Sequence, residues 1–424
     1  MADREVVITG LGIVSPIGVG REAVWESIVA RRSGVWALPQ LALSGWLAPF
    51  GGNVIDFDPK ELIQPRKSIK VMSREIQLAS AAAELAWQDA GLPQATIDPD
   101  RFGVIGAAGV MYCELEELLI PFVEWQKHED FDIHRWSREA MGELYPLWML
   151  KYLPNMPACH IGIRYDARGP NNTIALNDVS SLLAISEAAD VIRRGQADLM
   201  IVGGTGSRIN VSDLMWHRGA RLACCNGDCD PATICRPFDA ARSGMVYGEG
   251  AAQIVLESRE HAERRGQQSL ARVAGVAARY ESSAAGLRPT GDAIRRAIQA
   301  ALAAAGTQAA DISHVNAHGN STREDDPAEA QAIRSALGDV PVTAPKSYFG
   351  NLGHGSGMVE LCVSLLGLAH GVVPPTLNYQ QADPECPVNV ATEMTPTERR
   401  AFVKLSHNAS GQAAAVVIEN ANDQ

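Results

Sequence analysis

Residues 173–204 read TIALNDVSSLLAISEAADVIRRGQADLMIVGG, and their periodicity sets the fold class. A short apolar, strand-like run at 173–176 breaks at Asn177-Asp178 and gives way to an apolar-faced helix pattern. That pattern closes on Arg193, Arg194 and Gly195, the basic residues and glycine expected where a helix stops. A second apolar run, 197–204, follows. Strand, helix and strand within about 30 residues form a βαβ unit, which implies a parallel sheet and a right-handed crossover. The unexpected residue is Asp178, an ionisable carboxylate at a buried-looking strand-to-helix corner, where catalytic nucleophiles are often mounted. Read as structure alone it is a helix cap. A carboxylate there accepts orphan N–H bonds, worth ~1 kcal/mol, and the helix dipole favours its ionised form.

The same alternation extends outward. EVVITGLGIVS reads as the first strand, REAVWESIVARRSG as a helix, SREIQLASAAAELAWQDAGL as a helix capped by Ser73 with Glu75 two residues on, and RFGVIGAAG as a strand. Residues 111–155 are rich in Trp, Glu and Leu without clean alternation and are expected to be helices covering a pocket or interface. GAAQIVLESRE and SLARVAGVAARYES, on either side of a midpoint near 257, are expected as antiparallel neighbours. Helix, strand, helix and Gly-rich turn then recur, and RAFVKLSHNASGQAAAVVIEN reads as a closing hairpin. Two α/β halves are expected, 1–257 and 258–424, repeating in pattern and not in sequence.

Bulk properties narrow the function. A chain of 424 residues exceeds the usual single domain, and 46% hydrophobic with 20% charged residues is ordinary for a soluble protein. No apolar run approaches the ~18 residues that span a bilayer. The start, MADREVVITG, lacks the basic n-region of a signal peptide, so a cytoplasmic location is expected and no membrane partner. A net charge of −12 argues against a nucleic-acid partner. Arg66, Lys67, Lys70 and Arg74, like the Arg193-Arg194 pair, are expected on solvated faces or helix ends, with a docking patch for an acidic partner as the alternative. The eight cysteines are expected as buried thiols. Cys224, Cys225, Cys229 and Cys235 crowd together, yet their spacing contains no C-x2-C pair, so no metal is expected there, and no cofactor elsewhere.

Three further stretches carry a specific resemblance: CRPFDAARSGMVYGEGAA (235–252), VNAHGNSTREDDPAEAQAI (315–333) and APKSYFGNLGHGSGMVE (344–360). With VVITGLGIVSPIG near the start and GQADLMIVGG at 195–204, they resemble the β-ketoacyl-acyl-carrier-protein synthases of the thiolase-like superfamily over nearly the whole chain. The resemblance implies an α/β thiolase-like fold, a duplicated five-layer αβαβα architecture that is normally dimeric. Its active members join acyl chains held on acyl carrier protein. In them a Cys at a strand-to-helix corner takes the acyl group, two histidines promote decarboxylation and stabilise an enolate, and a lysine supports the electrostatics.

Carried onto this chain, the motif places Asp178 at the nucleophile, retains His318 and Lys346, puts Asn351 at the second histidine, and sets Glu329 where the family commonly has a supporting acid. His354 falls in the glycine turn, and NASGQ at 408–412 replaces the family's glycine-rich turn. An acyl group on a carboxylate would be a mixed anhydride, more reactive than the thioester that supplied it, so Asp178 is unsuited to storing a chain for condensation. Losing the second histidine removes an oxyanion donor, typically worth about 10²–10³ in rate, although Asn351 retains a donor. The reading is therefore of a degenerate ketosynthase-like subunit resembling the chain-length factors, which often carry Gln at that corner. Such a subunit would pair with an active ketosynthase paralogue, or with itself, and with acyl carrier protein. The alternative is a non-condensing decarboxylase, hydrolase or dehydratase working through Asp178 and His318. A third option uses Ser180 or Ser181 as nucleophile.

Overall fold

A ten-residue strand buried along its entire length must be covered on both faces, and Val6–Ser15 is such a strand. The computed structural model describes residues 4–421 apart from 40, 42–47, 128–129, 131, 218–220, 224–228 and 283–288. Its main strands are β1 (Val6–Ser15), β2 (Phe102–Ala107), β3 (Asn171–Ile174), β4 (Leu199–Ser207), β5 (Glu249–Ser258), β6 (Ala271–Tyr280), β7 (Ile312–Asn316), β8 (Pro341–Thr343), β9 (Asn389–Val390), β10 (Ala401–His407) and β11 (Gln412–Asn420). The helices that matter for the site are α1 (Arg74–Asp89), α2 (Leu115–Gln126), α3 (Ser180–Arg193), α4 (Asp292–Ala305), α5 (Asp325–Leu337) and α6 (Ser356–Ala369).

The duplication is visible in the strand order. The first half runs β1-β5-β4-β2-β3, with two antiparallel pairings followed by two parallel ones. The second half runs β6-β11-β10-β7-β8, with the same succession. The halves join through a short antiparallel contact of β1 with β6, Val7 to Arg272 and Ile8 to Ala271. Helix α1 covers the first half-sheet, α4 with α5 the second, and α3 and α6 lie between and touch strands of both. Residues 356–368 of α6 are all buried, as a helix apolar on every side requires. Five layers result: helix, sheet, paired central helices, sheet, helix.

The repeat extends to close contacts. A Cβ added at Gly12 of β1 would lie 2.1 Å from the carbonyl oxygen of Ala82 in α1. One added at Gly275 of β6 would lie 2.2 Å from the carbonyl of Ala301 in α4. In each half an alanine-faced helix seats its backbone directly on a strand glycine, although the flanking residues differ.

The expected pairing of β5 with β6 does not occur. Both lie against β1, one on each side, because the connection holds a helix, Arg259–Arg264, far longer than the two to five residues of a hairpin turn. The βαβ unit at 173–204 is present, with β3 and β4 both parallel to β2, which stands between them. The closing hairpin pairs Ala401 with Glu419 through His407 with Ala413. Arg74 is no solvated face: its guanidinium ties the Val54 carbonyl to the buried Glu249. Among the described residues no helix is long and apolar enough to cross a membrane.

Cys113, Cys159, Cys235, Cys362 and Cys386 are free thiols, but Cys229 is disulfide-bonded, against the expectation of thiols throughout. Cys224 and Cys225 lie outside the described residues. Cys235 donates to the Lys346 carbonyl at 3.1 Å, and burial pushes its thiol up to about 12.

The glycine contacts carry a test. Gly12→Val and Gly275→Val should each lower unfolding free energy by about 3 kcal/mol or more, since the opposing atom is helix backbone and cannot rotate away. Gly142→Ala, with nothing within 4 Å of the added carbon, should leave it unchanged. Denaturant melts of the three variants check this.

Candidate functional site

Five elements of the second half converge, and one corner of the first stands apart from them. The chain after β7 turns at Gly319, with φ of 52°, and brings His318 into the interior, where it is fully buried. The segment after β8 contributes Lys346, the first residue of the helical turn Lys346–Phe349. Its ammonium lies 3.0 Å from His318 Nδ1, donates to the His318 carbonyl at 2.6 Å, and pairs with Glu360 Oε1 of α6 at 2.7 Å. Glu360 Oε2 meets Lys404 of β10 at 2.5 Å, and Lys404 also donates to the carbonyls of Leu405 and Ala317. Burial pushes the Lys404 ammonium down to about 8.

This arrangement sets the tautomer of His318. A lysine ammonium has donors and no acceptor, so Nδ1 must accept and the ring proton must sit on Nε2. Burial first, then the charges of Lys346, His407, Lys404 and Arg208, hold the imidazole neutral, far below its usual range. Its buried Nε2 has no hydrogen-bond partner among the described residues. The site thus presents a neutral imidazole with a free N–H donor.

Glu329 of α5 is fully buried and accepts the backbone N–H groups of His318 at 2.6 Å and Gly319 at 2.8 Å. It positions the histidine's backbone, not its ring. Its Oε2 also lies 3.5 Å from Nε2 of His407, whose ring packs edge-on against His318 with 4.6 Å between centroids. Burial raises the Glu329 carboxyl, but His407 and the two N–H groups outweigh it and leave it below the usual range.

Asn351 is buried, and both ends of its amide are spent. Nδ2 donates to Asn320 Oδ1 at 2.9 Å and faces Met245 Sδ at 3.8 Å, while Oδ1 accepts from Gly353 N at 2.8 Å. The spare donor expected of Asn351 is therefore committed to Asn320, while its amide oxygen holds the turn that starts α6.

At the corner, Asn177 adopts φ of 53° and Asp178 is 8% exposed. Asp178 does not cap α3. No side chain caps it: Ser180 Oγ instead ties the corner that precedes the helix, accepting from Leu176 N at 2.7 Å and donating to the Asn177 carbonyl at 2.6 Å. Asp178 faces Arg208, just beyond β4, with 3.5 Å from Oδ1 to the guanidinium. Burial works against the Arg208 charge, but Asp178, Tyr247 and Asp213 more than offset it. Ser181 donates to the His354 carbonyl, so both serine hydroxyls are engaged with backbone. His354 lies beside the corner: a Cβ on Gly109 would sit 2.0 Å from its ring carbon Cε1, so the imidazole occupies the space that glycine leaves. Burial, then Arg208, push that ring down to about 4.

Two cavities flank these groups. One of about 260 Å³ is lined by Asn177, Arg208, His354, Tyr112, Glu75 and Asp213, and burial raises Glu75 and Asp213 to about 7 each. The other, about 320 Å³, is lined by Arg221, Glu324, Asp325, Ala328, His407 and Asn408 among others. Among the described residues no group of three or more His, Cys, Asp or Glu could hold a metal.

His318, Lys346 and Glu329 thus form one cluster, Asn351 belongs to a separate chain through Asn320 to Asp325, and Asp178 sits apart against Arg208. Arg208 is the electrostatic link, since its charge acts on both Asp178 and His318. Sequence reasoning missed Arg208, Glu360, Lys404 and His407. The one available signal was polarity out of place: Glu360 inside an apolar helix pattern and Lys404 inside an apolar strand pattern.

Residues 3–262 match the model of the beta-ketoacyl synthase N-terminal domain and residues 270–380 that of the C-terminal domain. The chain is 33% identical over 408 residues to the tetracenomycin polyketide synthase ketoacyl synthase alpha subunit of Streptomyces glaucescens, covering 94% of this chain and 92% of that protein. It is 31% identical over 405 residues to a 3-oxoacyl-[acyl-carrier-protein] synthase 2 of Coxiella burnetii, covering 94% and 93%. Among solved structures, a beta-ketoacyl synthase from Burkholderia phymatum superposes with a TM-score of 0.87 at 26% identity, covering 99% of this chain and all of that one. The ishigamide ketosynthase/chain length factor superposes with a TM-score of 0.82 at 27% identity, with the same coverage. With both halves of the family pattern present in order on a common fold, this chain belongs to the beta-ketoacyl synthase family.

Proposed function

We propose that this chain is a non-condensing, ketosynthase-like subunit of a type II polyketide or fatty-acid system, working in the cytoplasm beside a condensing beta-ketoacyl synthase and an acyl carrier protein. The observation that carries the proposal is the corner. Where the family mounts a thiol, this chain has a buried carboxylate committed to a half-buried arginine, Asp178 to Arg208 at 3.5 Å. An aspartyl adduct would be a mixed anhydride, and forming it would cost the ion pair as well. Asn351, with its amide committed, supplies no second donor for a developing enolate.

Pairing is supported by surface chemistry. Leu115, Leu119, Phe122 and Val123 of α2 recur at helical spacing, and all are exposed, at 44%, 59%, 43% and 46%. Separately, β3 ends the sheet with one side unpaired among the described residues, an edge suited to accepting another strand. Related structures include an acyl-carrier protein in complex with its ketosynthase and a ketosynthase/chain length factor. A paralogue with an intact corner is the favoured partner, and a second copy of this chain is the alternative.

A second reading is favoured by one observation, the unpartnered Nε2 of His318 beside an intact Lys346–Glu360–Lys404 cluster. A neutral N–H donor there suits polarising a thioester carbonyl during decarboxylation, hydrolysis or dehydration of a carrier-bound substrate.

Two measurements test the leading reading. Incubated with acyl-carrier protein and malonyl-carrier protein, the purified chain should show no covalent acyl adduct by mass spectrometry and no elongated product; condensation by the isolated chain removes the proposal. Co-expressed with a Cys-bearing homologue, the chain should co-elute as a dimer, and Leu119→Asp combined with Phe122→Asp should shift it to monomer without altering its circular dichroism.

A further inference from the structure

Two buried carboxyls line the cavity of about 260 Å³ that lies against the corner at Asn177. Glu75 stands in the first turn of α1 and is 8% exposed, and Asp213 stands in the short helix Val211–His217 and is 5% exposed. Among the described residues Arg208 is the one arginine or lysine on the cavity wall, and it already faces Asp178 at 3.5 Å. That pair is neutral as a unit, so ionising Glu75 or Asp213 gives the cavity a net negative charge. His354 lines the same cavity, and among the described residues neither of its ring nitrogens has a hydrogen-bond partner. Burial, then Arg208, keep that imidazole uncharged, so one of its nitrogens offers a lone pair.

We propose that this cavity is a recognition site for a primary ammonium group, and that the substrate class it selects is short amine-bearing acyl thioesters. The proposal deepens the non-condensing reading and rests on its premise that a carrier-bound thioester reaches the corner. An ammonium carries three donors and no acceptor. The cavity offers acceptors from three separate elements: Glu75 of α1, Asp213 of the Val211–His217 helix and His354 of the turn before α6. A saturated chain in the same space would set hydrocarbon against two carboxyls and an imidazole, removing their water and returning no hydrogen bond. A chain ending in a carboxylate would meet like charge.

The groups around the two carboxyls fix the pH dependence. Burial raises both to about 7. Around Glu75 the charges of Glu249 and Glu114 add to the rise, while its own backbone N–H and Ser73 oppose it. Around Asp213 the Arg208 charge opposes it. Both carboxyls are neutral below that value and charged above it. Affinity for an ammonium therefore grows as pH rises through about 7, and then levels.

The experiment is calorimetric titration of the full chain with three pantetheine thioesters of equal chain length, β-alanyl, 3-hydroxypropionyl and butyryl, which end in ammonium, hydroxyl and methyl. At about pH 8 the β-alanyl thioester should bind at least about tenfold more tightly than either of the others, and it should lose about tenfold in affinity on going to about pH 6. The hydroxyl and methyl compounds should show no such gain with pH. Glu75→Gln and Asp213→Asn keep shape and hydrogen bonding but remove charge, so each should reduce the preference for the amine and flatten its pH profile, a change that loosening of the fold would not confine to one of the three compounds. Equal binding of the three thioesters at about pH 8, binding of none, or an undiminished amine preference in both variants with native circular dichroism overturns the proposal. None of these results bears on the absence of condensation, which the adduct and co-elution measurements decide.

Discussion

One buried carboxylate, Glu360, holds the interior of this protein together electrostatically. It sits in the central helix and accepts two ammonium groups, Lys346 from the loop after β8 and Lys404 from β10. All three side chains are at most 1% exposed. Removing one partner of such a buried set typically costs about 3–5 kcal/mol, because a charge is left without compensation. The trio therefore pins the central layer to the second half-sheet and points Lys346 at His318. The tautomer of His318 follows from that carboxylate through Lys346, and its neutrality from burial first and then from the charge of Lys346.

The corner in the first half answers a different constraint. A thiol at a helix start is activated by the positive end of the helix dipole and is tolerated uncharged when buried. A carboxylate cannot be left buried and uncompensated, so Asp178 requires a cation, and Arg208 supplies it. The capping that Asp178 was expected to perform is made by no side chain, and Ser180 instead braces the corner through the Leu176 N–H. The helix keeps its start, and the first turn loses a reactive group.

Much of this was legible in the sequence because it is local. The corner at Asn177-Asp178, the βαβ unit, the closing hairpin and the retained His318 and Lys346 are written in runs of residues and in motif spacing. The pairing of β5 and β6 was misread because both strands carry the same alternation, and nothing in either indicates that β1 lies between them. Arg208, Glu360, Lys404 and His407 were invisible for a related reason: their roles come from partners 30 to 78 positions away in the chain, in Arg208 with Asp178, Lys404 with Glu360 and His407 with Glu329. A lysine in a strand pattern reads as an exposed residue until its carboxylate is found in another layer.

The contact between Gly109 and His354 binds two distant positions into one choice. The imidazole fits because position 109 has no side chain, and the 2.0 Å clearance leaves no intermediate solution. In any lineage descended from this sequence, a larger residue can return at 109 after the ring at 354 has been given up, and a ring can persist at 354 while 109 stays bare. The two sites should therefore drift as a couple, and their joint identity would separate chains that kept a filled corner from those that reopened it.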